Sequence, residues 1–418
     1  MGAKPRAICH PAACPSRPPI NKPPGGRPMS DLEMLKRQAC ERVDAVADRL
    51  IAVSREIHAN PELAFQEHRA CALLASIAEA AGMAVERRAY GLQTAFAAEF
   101  GNGEGPVIAV LSEYDALPGI GHGCGHNIIA ATGLGAALAL KGMPAGLPGK
   151  VRYIGTPAEE RGCGKEIMAR NGAFDGLDAA MMVHPAWVNA KAFRTLCLGE
   201  VHVDYIGQSG HAALAPEQAR NALDAVVMSY QAIANLRQHL KRGEHVHGVI
   251  TDGGDVPNVF TVSTRAHYFA RAATIEDLAV LKRRVDACLQ AGATATGCEA
   301  RIAWSDADYQ QMKVNLPLAD AFEANASRLG REFTDYLQLP IGGADMGNVS
   351  QRVPVLHALI SCAPADVIIH TPEFTRWAGS EQGDRAVVDG AKALAMTAID
   401  MLVDGAFRSR VATAQATL

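Results

Sequence analysis

Val107–Leu140 reads VIAVLSEYDALPGIGHGCGHNIIAATGLGAALAL. Its first eight residues, VIAVLSEY, are a short continuous apolar run, as expected of a strand buried on both faces. A loop follows in which Gly119–Asn127 holds two His, one Cys and four Gly in nine residues. The small-residue segment NIIAATGLGAALAL then reads as a helix. Cys124 stands two residues from His126, in a loop with almost no side chains to pack. Taken alone, this leaves three readings open: a nucleophile, a metal ligand or an ordinary buried thiol.

Working outward, KVRYIGT (from Lys150) reads as the next strand, AEERGCGKEIMARNG as a loop and helix, and AAMMVHP as another strand. Strand, loop, helix, strand is the rhythm of a mostly parallel α/β sheet, and in such sheets ligands bind at the carboxyl ends of the strands. Upstream, Ser30 with Glu33 forms a capping-box pattern. Apolar residues at Leu32, Leu35, Ala39, Val43, Val46, Leu50, Val53 and Ile57 predict one long helix ending at HANPE, and a second runs from about Glu67 to Ala81. Near Lys191 the texture changes. LGEVHVDYIG alternates, and a helix with a stripe at Ala222, Ala225, Val226, Ser229, Ile233 and Leu236 follows. Two more alternating stretches and a helix from Ile275 to about Gln290 complete a β-α-β-β-α-β order, a ferredoxin-like α+β unit. The α/β texture then returns, with a long helix from about Ser380 to Leu402. The expected fold is therefore α/β, with a mostly parallel-sheet catalytic domain (30–192 and 306–418) interrupted by an inserted α+β domain (193–305).

The chain has 418 residues, 49% hydrophobic and 20% charged, with a formal net charge of −4. That balance suits a soluble globular protein with a large core. There is no basic block to meet nucleic acid and no run of 18 uncharged apolar residues to cross a membrane. The 10 Cys are scattered without a C-x-x-C pair, which fits reduced thiols in a cytoplasm. Residues 1–29, rich in Pro and Gly and without periodicity, read as a disordered extension ahead of Met29.

Ligand-type residues stand at four predicted strand ends: Cys124 and His126, Glu159 and Glu160, His184, and His370. Divalent metals take thiolate, imidazole and carboxylate, and the ends of one sheet can converge on one point. Any one of these residues alone is more often packed or hydrogen-bonded than ligating, but together they favour a metal centre. The adjacent carboxylates of PAEE point in different directions, so one can ligate while the other works as a base. His211, flanked by Gly and Ala in the inserted unit, reads as a lid residue able to reach a substrate oxyanion.

HANPELAFQEHRA, SEYDALPGIGHGCGHN, GTPAEERGCGKEIM, VHP, GQSGHAALAPEQARNALDA, GGADMGNVS and IHTPEF together resemble the metal-dependent amidohydrolase family of aminoacylases, hippurate hydrolase, indoleacetyl-amino-acid hydrolases and p-aminobenzoyl-glutamate hydrolase. The match keeps its order from about residue 40 to 400. Within it, the chain is most similar to the branch with β-alanyl-lysine-type dipeptidases and p-aminobenzoyl-glutamate hydrolase. The resemblance implies two divalent metal ions, bridged by Cys124 and held also by His126, Glu160, His184 and His370. Zinc suits these ligands, and manganese, cobalt and nickel remain open. It further implies Glu159 as general base, Asp115 as a residue that orients a ligand, and Asn258 and Arg271 as holders of the substrate's carboxylate. His211 would serve the site of a dimer partner, the dimer forming through the inserted domain. Asn127 and Ile129 depart from the CGHDxH pattern of hippurate-type relatives, and HTPEFTRWAGS is altered too.

The expected activity is hydrolysis of the amide of an N-acyl or aminoacyl amino acid, a small-molecule substrate. Two rivals are a cysteine hydrolase with Cys124 as nucleophile and a non-catalytic binding protein on the same fold. The first leaves PAEE unexplained, and the second leaves Glu159 without a purpose.

Overall fold

The computed structural model describes residues 30–143, 147–211, 213–340 and 342–418. The N-terminal extension read at 1–29 lies outside the described residues. Among the described residues there are twelve strands: β1 (Ala84–Arg87), β2 (Phe96–Gly101), β3 (Val107–Ser112), β4 (Lys150–Gly155), β5 (Ala179–Ala186), β6 (Phe193–Arg194), β7 (Cys197–Ile206), β8 (His245–Asp252), β9 (Ser263–Ala272), β10 (Glu299–Trp304), β11 (Tyr336–Pro340) and β12 (Val355–Ser361). Six form the main sheet in the order β1-β2-β4-β3-β5-β12. From β4 to β12 all pairings are parallel, while β2 runs antiparallel to both β4 and β1.

β3 lies inside this sheet and is covered on both faces, as its apolar run demands. Ile108 and Val110 pack into one core cluster, and Ala109 and Leu111 into another on the opposite face. The helices Asp31–Ala45, Ala47–Ala59, His126–Lys141 and Glu381–Val403 contribute to the first cluster. His126–Lys141 is buried almost all round. Its small residues let neighbours approach: a Cβ on Gly135 would lie 2.6 Å from Leu50 Cδ1 and 2.8 Å from Ala391 Cβ.

The single helix predicted for Leu32–Ile57 is two. Val46, at φ −118° and ψ 8°, breaks the ladder between them. No Gly or Pro marks the break, and the apolar stripe runs on across it because both halves pack on the same core. Two further differences are a helix at Pro372–Ala378, where a loop was expected, and an additional helix at Gly405–Ala416.

The second sheet has the order β10-β7-β9-β8, antiparallel throughout. Alternation along β7 and β9 turns Val201, Val203, Tyr205, Ala266, Tyr268 and Ala270 toward the helices Ala222–Leu236 and Ile275–Thr296, forming a separate core. The other face carries Glu200, His202, His267 and Arg271 in a more polar setting. β6 and β11 make a short parallel pair apart from both sheets.

Candidate metal centre

The centre is built where β3, β4, β5 and the segment after β12 end. Past β3, the chain runs through Glu113 and Asp115 into the glycine loop. Gly125, at φ 75°, caps the helix that opens with His126. A Cβ there would lie 2.6 Å from Pro185 Cγ, so only glycine lets the loop lie against the end of β5. Asp115 is fully buried and holds two things at once. Its Oδ1 lies 3.0 Å from His126 Nδ1, and its Oδ2 accepts the Glu160 N–H at 2.8 Å. Burial opposes its ionisation, but the His126 charge and these hydrogen bonds hold its pKa below the usual carboxylate range. One carboxylate thus orients the imidazole and pins the glutamate pair.

After β4, Ala158 sits at φ 61°. Its N–H donates to buried Glu67 at 2.8 Å, and the Thr94 hydroxyl donates to the same carboxylate at 2.9 Å. The Tyr309 hydroxyl donates to the Glu159 carbonyl at 2.7 Å. These bonds fix the loop so that both glutamate side chains meet the cavity. Burial, then the charges of Glu113, Glu160 and Asp345, push Glu159 well above the usual carboxylate range. Burial lifts Glu160 to about 7.

At the end of β5, His184 Nδ1 lies 2.7 Å from the Pro185 carbonyl, which leaves Nε2 free to face Cys124 Sγ at 3.4 Å. His370, at φ 65°, is tied by its N–H to the Gly123 carbonyl at 2.8 Å, and its Nε2 lies 3.5 Å from Glu160 Oε2.

Cys124, His126, Glu160, His184 and His370 therefore converge. In one trio the donor atoms of Cys124, His126 and His184 lie within 4.8 Å of one another, and in a second trio so do those of Cys124, Glu160 and His370. Cys124 is common to both. His126 Nε2 and Glu160 Oε1 are buried with no hydrogen-bond partner, an expensive condition that bound cations would relieve. Thiolate, imidazole and carboxylate donors fit divalent transition metals.

Beside the trios lies a group the sequence reading passed over. Lys165, wholly buried, makes ion pairs with Glu113 and with Asp345, the latter at 2.7 Å, and its backbone N–H also donates to Asp345 at 2.8 Å. Glu113 Oε2 in turn lies 3.6 Å from His126 Nε2. A carboxylate at the carboxyl end of the buried strand VIAVLS was the available signal for Glu113. Tyr309 and buried His357, which also line the cavity, carried no local signal.

The cavity has a volume of about 380 Å³ and is lined by Cys124, Glu159, Glu160, His184 and His370, with Arg271 on the wall from β9. Arg271 has no carboxylate within ion-pair distance among the described residues. Neither His211 nor Asn258 lines it. Both are exposed, and His211 bridges to Val259 in the second unit. Asn127 turns away from the centre and donates to Ser54 Oγ at 2.9 Å and to the Ala378 carbonyl at 3.0 Å.

Buried thiolate, imidazole and carboxylate donors at the strand ends of an α/β sheet, beside a spare glutamate, are the equipment of a metal-dependent hydrolase. Residues 109–398 match Peptidase family M20/M25/M40, and the chain belongs to this family and hydrolyses peptide or amide bonds. Among its relatives, the mouse Xaa-Arg dipeptidase is 41% identical over 92% of this chain and 93% of its own length. A p-aminobenzoyl-glutamate hydrolase polypeptide of Escherichia coli is 28% identical over 87% of this chain and 91% of its own length. Among solved structures, the aminobenzoyl-glutamate utilization protein from Klebsiella pneumoniae shares the fold with a TM-score of 0.72 at 19% identity, over 88% of this chain and all of its own. A dinuclear metal-binding M20 peptidase from Bacillus subtilis does so with a TM-score of 0.63 at 21% identity, over 86% and 99%.

Proposed function

We propose that the chain is a dinuclear metallohydrolase that splits the amide of a dipeptide or an N-acyl amino acid. Cys124, His126, Glu160, His184 and His370 would hold the ions. The sharing of Cys124 between the two donor trios is the observation that carries this reading. Bound ions would polarise the scissile carbonyl and acidify a water. Zinc or manganese suits the donor set, with cobalt and nickel as further candidates.

Glu159 is then free to be the proton carrier. Its backbone is clamped by Tyr309 and its side chain lines the cavity beside the donor trios, where a carboxylate can accept a proton from water and return it to the departing amine. Arg271, in the cavity wall with no ion pair among the described residues, would take the substrate's carboxylate. The names of the relatives, an Xaa-Arg dipeptidase and an aminobenzoyl-glutamate hydrolase, support a substrate that ends in an amino acid.

His211 lies off its own cavity, which supports a role at the site of a second copy of the chain, holding the oxyanion, with Asn258 nearby. The second unit, residues 193–305, would form the lid and the homodimer contact. The exposed Val227, Met228, Tyr230 and Val249 there offer an apolar surface. The cysteines described are all free, which supports a cytoplasmic setting. Glu159→Gln tests the central role: turnover should fall ~10²–10⁴-fold with metal content unchanged. Parallel loss of metal would make Glu159 a ligand instead.

A further inference from the structure

A second cluster of metal-binding side chains stands on the open face of the second sheet, on β7 and β9. His202 and His267 are directly opposed in the antiparallel register, and Glu200 precedes His202 by two residues, on the same face. The two imidazoles stack with centroids 4.2 Å apart and 6° between their planes. Glu200 Oε1 lies 3.2 Å from His202 Nε2 and 2.8 Å from His267 Nε2. All three donor atoms fall within 4.8 Å of one another.

Zinc bound tetrahedrally at 2.0–2.1 Å keeps its donors roughly 3.3 Å apart, close to the Glu200–His spacings, and one imidazole must rotate out of the parallel stack for both Nε2 lone pairs to meet the same ion. Two further observations point to a ligand. His267 Nε2 is sealed from solvent and, among the described residues, faces only Glu200 Oε1, at 2.8 Å and poorly aligned for a hydrogen bond. Glu200 is itself held in place: its backbone carbonyl accepts the Ser305 N–H at 2.8 Å, and its Oε2 lies 3.4 Å from Ser305 Oγ. His202 is half exposed and opens the position to solvent, which leaves room for a water as fourth ligand.

We propose that Glu200, His202 and His267 form a separate site for one transition-metal dication of the zinc class. None of the three lines the catalytic cavity or belongs to the donor trios there. The competing cation is Arg161, whose Nη2 lies 3.8 Å from Glu200 Oε1. It directly follows the Glu159–Glu160 pair and is mostly exposed, so it is free to swing away. Ion binding here would therefore exchange a contact between the glutamate loop and the second sheet for three metal bonds.

The test loads purified enzyme with zinc chloride, passes it through gel filtration into metal-free buffer, and counts zinc per chain. His202→Ala/His267→Ala is treated alike, and Glu200→Gln serves as a second variant with the smallest disturbance to the strand. The parent should retain one equivalent of zinc more than either variant, while all three keep the same catalytic activity. Equal zinc content in parent and variants would overturn the proposal, whatever the number held at the catalytic centre. Cobalt supplies an independent readout. A tetrahedral visible absorption should appear with the last equivalent added to the parent and be missing from both variants. Its presence in the variants would also overturn the site.

Discussion

Lys165→Met removes the ammonium that Glu113 and Asp345 share and keeps most of the side-chain volume. In the parent, Lys165 neutralises Glu113 and Asp345, all three being buried. Its own pKa is raised, so its charged form stabilises the fold throughout the working range. Burial lifts Asp345 to about 6, and Lys165 is what keeps it from rising further. Without the lysine, both carboxylates must either stay ionised and unpaired or hold protons. Breaking a buried ion pair from one side costs about 3–5 kcal/mol. The sign of the pH dependence follows. At low pH Asp345 is neutral in both proteins, and the parent's buried ammonium has lost that partner, so the gap is small. As pH rises through 6, Asp345 ionises beside Lys165 in the parent while in the variant it resists ionising. The gap should widen by up to roughly 1.4 kcal/mol per pH unit while Asp345 of the variant still holds its proton. Thermal unfolding of the metal-saturated proteins from pH 5 to 8 measures it. A variant as stable as the parent at pH 8, or a deficit that does not grow with pH, would refute the reasoning.

Three further outcomes are expected. Cys124→Ser should lose metal on dialysis while its metal-free form unfolds near the temperature of the metal-free parent, because a hydroxyl is a harder and far less acidic ligand; full activity with two ions retained would remove Cys124 as a bridge. Arg271→Gln should lower kcat/KM by roughly 10- to 150-fold, mainly through KM, the value of one charged hydrogen-bonded contact at about 1.5–3 kcal/mol. The loss should vanish for a substrate whose carboxylate is amidated, and an equal loss for that substrate would place Arg271 elsewhere. Mixing inactive His211→Ala with inactive Glu159→Gln should restore activity if chains exchange within the proposed dimer, since one site of a mixed dimer would then have both wild-type groups; exchange without recovery would confine His211 to its own chain.

Much of this was legible in the sequence because it depends on local pattern. VIAVLSEY announced a strand covered on both faces, and Ile108 and Leu111 do face opposite cores. The alternation in LGEVHVDYIG became β7, with Val201, Val203 and Tyr205 inward. The stripe from Ala222 to Ile233 is the buried face of its helix. The donors at strand ends were visible because thiol, imidazole and carboxylate are costly there unless used. Other features were hidden because their cause is tertiary. Lys165 looks like an ordinary helix surface residue until Asp345, 180 positions away, closes on it. Glu67 looks like a helix cap until it is found clamping Ala158. His202 and His267 become neighbours only through the β7–β9 register.

In the proposed centre Cys124 would join two metal ions, one in each donor trio. Anomalous X-ray scattering from crystals of the metal-loaded protein would locate them. The expected result is two peaks at the strand ends, both within bonding distance of Cys124 Sγ at about 2.3 Å, one nearer His184 and the other nearer His370. A single peak, or two peaks with Cys124 bound to neither, would contradict it.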